Sequence, residues 1–435
     1  MTRPVYPGEG LSALLLGTNL FLLLSSYYLL KVVREALILS QNGAEAKTYA
    51  TAAQAALLLC VVPAYDMLAK RFLRTRLVMI VTCFFMTHLL IFAGLGQVGV
   101  AIDVPFFLWL GVFSVVIVAQ FWAFASDVYT EEEGKRLFPI LGVGSALGSL
   151  VGAALSGHAL AALGPHGVML LAAGLLAAAV MSTWVVNRYM CATCSNQPDI
   201  ADQPFRDRGG FRLVFSDRYL VLIALFVLLL NVVNTGGEFL LGKLVVAEAD
   251  RRALLAGDAF GRQAFIGDFY SRYFTVASLL GLLFQIFLVS RIFRWIGIRG
   301  ALLVTPCIAL GGYVLLAGAP LLAVLGATKL LENSSDYSIQ NTARHSLFLS
   351  VGRDAKYKAK QAIDTVFWRA GDLVQAGLVF AGSLLAFTVR QYALVLLLSV
   401  VGWLIVTARL GREYRSRQLH ETPEARGTSM AGEAS

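Results

Sequence analysis

The feature that most constrains this chain is a repeated alternation. Blocks of about 20 apolar residues, each long enough to cross a bilayer as a helix, are separated by short polar connections. Taken in order, the blocks predict spans near 11–39, 49–68, 77–97, 104–128, 137–163, 166–188, 217–242, 268–290, 299–318, 320–350, 362–388 and 391–410, twelve in all. In hydrocarbon every backbone N–H and C=O must find a partner within the protein, which such blocks achieve as helices. The composition agrees, with 57% of residues hydrophobic and 14% charged and a mean hydropathy of +0.70. That excludes an ordinary soluble domain. The first block is longer than the apolar core of a signal peptide, and no good cleavage site follows it.

Charge is concentrated between the blocks and falls in alternate connections. Lys70, Arg71, Arg74 and Arg76 follow the second block, and Lys135 and Arg136 the fourth. Arg188, Arg206, Arg208 and Arg212 follow the sixth, and Arg291, Arg294 and Arg299 the eighth. Arg353, Lys356, Lys358 and Lys360 follow the tenth, and Arg409, Arg412, Arg415 and Arg417 the twelfth. The connections 97–104 and 164–167 carry no lysine or arginine. The exception is 243–268, whose Lys243, Arg251, Arg252 and Arg262 are offset by acids. Basic loops stay inside, so both termini are expected in the cytoplasm of a cell with the chain in its inner membrane. The net charge of +9 is then topological and implies no nucleic-acid partner. The longest polar connection lies near the chain centre and divides it. The expected organisation is a tail 1–10, a six-helix half 11–188, a linker 189–216, a second six-helix half 217–410 and a tail 411–435. YDMLAKRFLRTRL after the second span and VSRIFRWIGIRGAL in the second half resemble the cytoplasmic loop motif of the major facilitator superfamily. The expected fold class is all-α integral membrane, twelve transmembrane helices in two halves, major facilitator-like.

Polar residues inside the blocks mark candidate sites, because each ionisable group there costs about 2.5–3.5 kcal/mol on insertion scales. In Leu11–Leu39, Lys31, Arg34 and Glu35 have apolar sequence on both sides. Lys31 and Glu35 lie one turn apart and can pair, with Arg34 directed to a neighbouring face. In the alternative, Leu11–Leu30 alone spans and the charges snorkel. Trp122, Phe124, Ser126 and Asp127 end the fourth span, and Asn231, Asn234 and Glu238 lie in the seventh. The tenth holds Glu332, Asn333, Ser334, Ser335, Asp336, Gln340, Asn341, Thr342, Arg344 and His345. A re-entrant or unwound helix lining a cavity is the expected form; otherwise the span ends near Leu331 and a cytoplasmic loop follows. The eleventh carries Asp364, Arg369 and Asp372, the last two at pairing distance along a helix. Gly144, Gly148 and Gly152 share one face of the fifth span, which suits close helix packing.

Arginine binds carboxylate and phosphate bidentately, so Lys31, Arg34 and Arg344 point to a small anionic solute. Tyr27, Tyr28, Trp122 and Tyr337 can stack on a flat ring or serve as packing and interfacial anchors. Gly237-x-x-x-x-Gly242-Lys243 approaches a phosphate-binding loop, but Leu244 replaces the required Ser or Thr and the setting is an apolar helix. Any nucleotide is therefore cargo. Cys191 and Cys194 form a lone C-x-x-C without a second pair or nearby histidines, and Cys60, Cys83 and Cys307 read as small core residues. No metal, cofactor or catalytic residue is assigned.

Four segments carry a more specific resemblance: SSYYLLKVVREALILS, QFWAFASDVYTEEEGKRLFPILGVGSALGSLVG, NVVNTGGEFLLGKL and DYSIQNTARHSLFLSVGRDAKYKAKQAID. Together they are similar to the bacterial and plastidic ATP/ADP translocase (nucleotide transporter) family. The resemblance implies nucleotide exchange across a membrane by a non-enzymatic carrier. Lys31, Arg34 and Glu35 match the family's first-helix pattern, and Glu238 its seventh-helix glutamate. Tyr337 and Ser338 match the tyrosine and serine of its K-Y-S-x-F-D-P-T-K-E segment, and Arg344 matches the lysine near its end. Asp336, Asn341-Thr342 and His345 stand where that segment has lysine, Asp-Pro and glutamate. Asp127 and Asp372 replace a glutamine and a lysine. The expected substrate-binding residues are Lys31, Arg34, Arg344, Glu238 and Tyr337. Glu35, Asp127, Asp364, Arg369 and Asp372 are expected to pair charges or gate, with Glu238 and Asp127 taking up the cations of the empty site. The expected assembly is a monomer in the bilayer. The residues leave open a proton-coupled porter using Glu35, Asp127 or Glu238, and a non-transporting protein on the same scaffold.

Overall fold

The computed structural model describes residues 9–69, 74–129, 131–193, 214–256, 260–348, 351 and 359–431, and no strand occurs among them. The helices are α1 (Glu9–Gln41), α2 (Gly43–Ala69), α3 (Arg74–Gln97), α4 (Asp103–Val128), α5 (Glu131–Thr193), α6 (Arg218–Ala256) and α7 (Phe260–Leu283). A π-helical turn, Phe284–Leu288, joins α7 to α8 (Val289–Gly318). Then α9 (Leu322–Ser335) runs through a second π turn, Asp336–Gln340, into α10 (Asn341–Leu347). The short α11 (Lys360–Ala362), a third π turn (Ile363–Phe367) and α12 (Trp368–Leu384) follow, and α13 (Val389–Ala431) is the last described element.

Eight described stretches are long and apolar enough to cross a membrane. Two are double length, Arg136–Val186 and Gly261–Gly318, and each contains a glycine with positive φ: Gly164 (+68°) and Gly297 (+66°). Such backbone is strained for any other residue. Both glycines lie where the hydropathy pattern predicts a connection between spans. Large apolar side chains cover the outside, among them Leu14, Phe84, Ile91, Phe287 and Leu398, each at least half exposed. A soluble protein seldom tolerates this, whereas lipid accepts it at no cost.

The chain forms two compact units, Met1–Ala201 with Gly242–Leu279, and Asp202–Leu241 with Leu280–Ser435. The first is built on α1 against α5. A Cβ on Gly144, Gly148 or Gly152 would lie 2.5 Å from the carbonyl oxygen of Gly17, Phe21 or Ser25 respectively. Two stripes at four-residue spacing thus mesh backbone to backbone, and Ser25 Oγ donates to the Gly148 carbonyl at 3.2 Å. Close approach of this kind supplies dispersion contact where the hydrophobic effect is absent. Around it, Trp109 stacks on Phe113 at 5.4 Å and meets Phe85 edge-on, tying α4 to α3. Asn19 donates to Ala179 O and Thr183 Oγ1, so its buried amide is satisfied across to α5.

In the second unit α8 packs on both α9 and α13. Gly312 admits the Thr328 side chain, which would overlap an added Cβ at 2.0 Å. Tyr219 donates to the Leu347 carbonyl at 2.9 Å, holding the end of α10 to α6.

Two expectations need correction. The polar segment of the tenth span is helical throughout, with a π turn in place of unwound or re-entrant backbone. A π turn keeps every residue within a hydrogen-bonded helix while rotating the faces on either side. The connection expected at 243–268 begins as the continuation of α6, which runs to Ala256. The mixed charges there pair along the helix, with Arg251 and Arg252 both on Glu248 at 2.8 and 2.7 Å.

Candidate functional site

In the first unit Arg34 of α1 and Lys47 of α2 meet at one carboxylate, Glu35. Glu35 is only 1% exposed. Its Oε1 accepts from Arg34 Nη2 at 2.6 Å and Nε at 3.2 Å. Its Oε2 forms an ion pair at 2.7 Å with Lys47 of α2. The guanidinium of Arg34 also lies 4.5 Å from the Phe107 ring centre. Lys31 extends its ammonium over Phe274 of α7 at 4.0 Å and near Tyr28 at 5.1 Å. Aromatic faces stabilise a cation without neutralising it. Arg34, Glu35 and Lys47 thus form a buried ion-pair cluster joining α1 to α2, with Lys31 one turn before it on α1 against two rings.

The geometry corrects the expected pairing in one respect. Arg34 turns back onto Glu35 rather than to a neighbouring face, and Lys47 is the second partner. Sequence reasoning missed Lys47, since the second span was expected to start at residue 49 and the lysine read as loop charge. The same unit holds a cavity of about 640 Å³ between α5 and α7, lined in part by His158, Asp268, Ser271 and Arg272. Asp268 and Arg272 pair on its exposed rim at 3.0 Å.

The second unit contains two polar groups. In one, Glu238 of α6 accepts from Asn333 Nδ2 at 3.1 Å. Beside it the fully buried Lys329 contacts Glu332 at 3.2 Å, Asn234 Oδ1 at 2.9 Å and the Asn234 carbonyl at 3.2 Å. Tyr313 of α8 donates to Glu332 at 3.4 Å. Lys329 was absent from the residues singled out by sequence, although its spacing from Glu332 is that of a helical pair.

In the other group, Asp372 accepts from Asn231 at 2.8 Å and Thr235 at 3.1 Å. It also pairs with Arg369 at 3.3 Å, as their spacing predicts. Gly371 permits this approach, because a Cβ there would meet the Asn231 side chain at 2.9 Å and the Leu228 carbonyl at 3.0 Å. Arg344 of α10 is half-buried, contacts Asn341 Oδ1 at 3.2 Å and lies 5.2 Å from the Trp368 ring centre. Tyr337 is 54% exposed. Asp364 lies half-buried in the third π turn.

Asp127 belongs to the last turn of α4, and its side chain lies outside the described residues, as does Cys194 with most of the linker. Among the described residues no group of three or more His, Cys, Asp or Glu is arranged to hold a metal ion.

Residues 309–414 match the family model described as TLC ATP/ADP transporter. The ADP,ATP carrier protein 1 of Chlamydia muridarum is 26% identical over 362 residues, covering 74% of this chain and 66% of that protein. The chloroplastic ADP,ATP carrier protein 1 of Arabidopsis thaliana is 24% identical over 355 residues, covering 72% of this chain and 54% of that protein. The chain thus spans between about half and two thirds of the length of these relatives. The crystal structure of the nucleoside transporter NupG superposes with a TM-score of 0.65 at 12% identity, covering 92% of this chain and 98% of that one. At that identity the likeness speaks for the fold alone, an all-helical one with several stretches able to cross a membrane. The chain is thus similar to these ADP,ATP carriers over most of its length, and residues 309–414 are similar to the TLC ATP/ADP transporter family.

Proposed function

We propose that this chain exchanges adenine nucleotides, ATP against ADP, across a membrane by alternating access. What carries the reading is the cluster of Arg34, Glu35 and Lys47 with Lys31 one turn away on α1, in a chain similar to proteins named ADP,ATP carriers. A nucleotide brings several negative charges to a binding site. A cationic group held in place by its own ion pairs can bind them without reorganising. Lys31 and Arg34 are the residues proposed to receive phosphate, with Arg344 as a further phosphate contact. Glu238 and Tyr337 are proposed to contact the solute. Glu35, Asp364, Arg369 and Asp372 are proposed to pair charges or gate, Arg369 by its ion pair with Asp372, with Asp127 assigned to the same role from sequence alone.

The proposed architecture is twelve transmembrane helices in two six-helix halves, 11–188 and 217–410, joined by a cytoplasmic linker at 189–216. Both termini are proposed to face the cytoplasm of a cell whose inner membrane holds the protein as a monomer. Gly164 and Gly297 support the count, since each divides a double-length helix where two spans would meet. The basic residues of alternate connections support the orientation.

The decisive assay is counter-flow in proteoliposomes. Labelled ATP outside should enter only when unlabelled ATP or ADP is inside, and a panel of other phosphorylated solutes should compete poorly. Uptake that needs a pH gradient and no internal nucleotide would replace this reading with a proton-coupled porter. No flux of any solute would leave a non-transporting scaffold.

A further inference from the structure

The buried lysine of α9 sits in surroundings that are unusual for an ammonium. Lys329 is fully buried, and its Nζ has three oxygen neighbours: Glu332 Oε1 at 3.2 Å, Asn234 Oδ1 at 2.9 Å and the Asn234 carbonyl at 3.2 Å. They are one carboxylate, one side-chain amide oxygen and one helix carbonyl. Three N–H donors thus meet three acceptors.

The approach to α6 is built into the sequence. A Cβ on Gly237 would lie 2.2 Å from Tyr313 Oη, 2.7 Å from Lys329 Cδ and 3.2 Å from its Nζ. Only glycine lets the lysine lie against the α6 backbone and reach the Asn234 carbonyl. Tyr313 Oη adds another oxygen, 3.4 Å from Glu332 and from the Val233 carbonyl. Carriers bind small monovalent cations partly with main-chain carbonyls freed where a helix unwinds; α6 is unbroken at Asn234, and the set here joins a helical carbonyl to a carboxylate and an amide oxygen. Here a covalently attached ammonium fills it.

We infer that Lys329 is a tethered cation occupying a monovalent-cation site formed by Asn234 and Glu332, and that sodium or potassium takes its place once the ammonium is removed. The native chain then needs no free cation at this position. The reason is electrostatic: without Lys329 the buried Glu332 carboxylate has lost its partner, and an unpaired buried charge is strongly unfavourable. A small cation restores neutrality and reuses oxygens already in place. The inference stands on the geometry of α6, α8 and α9 and does not depend on which solute is carried.

The test is the thermal melting of the full chain in detergent, in sodium or potassium chloride against equimolar choline chloride, choline being too large to enter. The wild type should melt alike in all three salts. Lys329→Ala and Lys329→Gln should show a saturable rise of about 2 °C or more in sodium or potassium. Adding Glu332→Gln to either variant should remove the rise. Folded variants that melt identically in every salt would overturn the proposal. So would a saturable sodium- or potassium-specific rise in the wild type, whose site is already filled. Failure of both variants to fold even in saturating sodium and potassium would overturn it too, since neither ion then replaces the ammonium. None of these readouts involves nucleotide flux, so failure of the exchange reading would leave the result standing.

Discussion

Lys47 and Glu35 meet at 2.7 Å, and this contact joins α2 to the charged turn of α1. Because Arg34 already occupies the other carboxylate oxygen, Glu35 bridges a cation from its own helix and one from the next. The carboxylate is the common partner. Its loss exposes two cations to each other, while the loss of either cation leaves one ion pair intact.

That asymmetry is measurable. Glu35→Gln should destabilise the protein by about 3–5 kcal/mol, the usual cost of breaking a buried pair from one side. Lys47→Met should cost less, because Arg34 still neutralises the carboxylate. Combining the two should recover part of the loss, giving a coupling energy of about 0.5–3 kcal/mol in a double-mutant cycle of unfolding in micelles. Strict additivity would contradict a shared carboxylate.

The glycine stripe gives a prediction with an internal control. Gly148→Ala places a Cβ 2.5 Å from the Phe21 carbonyl oxygen, which belongs to backbone and cannot swing aside. Parting α1 from α5 should cost about 1–3 kcal/mol, as overpacking does elsewhere. Gly142, two residues before the stripe, has nothing within 4 Å of such a Cβ. Gly142→Ala should be neutral or stabilising by up to about 1 kcal/mol through helix propensity. Equal melting temperatures for the two variants would count against the meshed-stripe packing.

These examples show how far the sequence alone could be read. The stripe was legible because small residues recur every four positions, which has one meaning in a lipid-facing helix. Arg369 and Asp372 were legible because a three-residue offset places them on one side of a helix. Lys47 was hidden by an uncertain helix start, since two or three residues decide between loop charge and buried partner. Lys329 was hidden by its setting: Thr328, Leu330 and Leu331 continue an apolar run, and the signal lay in its offset from Glu332. The π turns at Phe284–Leu288, Asp336–Gln340 and Ile363–Phe367 have no sequence signature of this kind.

Topology can be read by labelling single cysteines on a cysteine-free background with an impermeant thiol reagent. Leu254 is 85% exposed near the end of α6, so Leu254→Cys is a well-placed probe. In intact cells it should react from outside, whereas a cysteine in the 189–216 linker should react only after the membrane is opened. The reverse pattern would invert the proposed orientation.

Arg344 provides the sharpest test of the proposed phosphate contact in the second unit. Its guanidinium rests near the Trp368 ring, contacts Asn341 and attracts the buried Asp336 carboxylate. Arg344→Ala should insert and fold, losing a cation–π contact worth about 0.5–1 kcal/mol together with the attraction to Asp336. Its effect on exchange should be far larger. A phosphate bound bidentately loses two charge-assisted hydrogen bonds at once, and uptake should fall more than about tenfold, about 1.4 kcal/mol. Arg344→Lys keeps the charge but not the fork, and should retain part of the activity with weaker apparent affinity. The comparison is made at matched expression, with melting temperature measured beside flux. Wild-type uptake by the alanine variant would remove Arg344 from substrate binding. Equal loss in the alanine and lysine variants would point to the fork geometry rather than the charge as what the substrate requires.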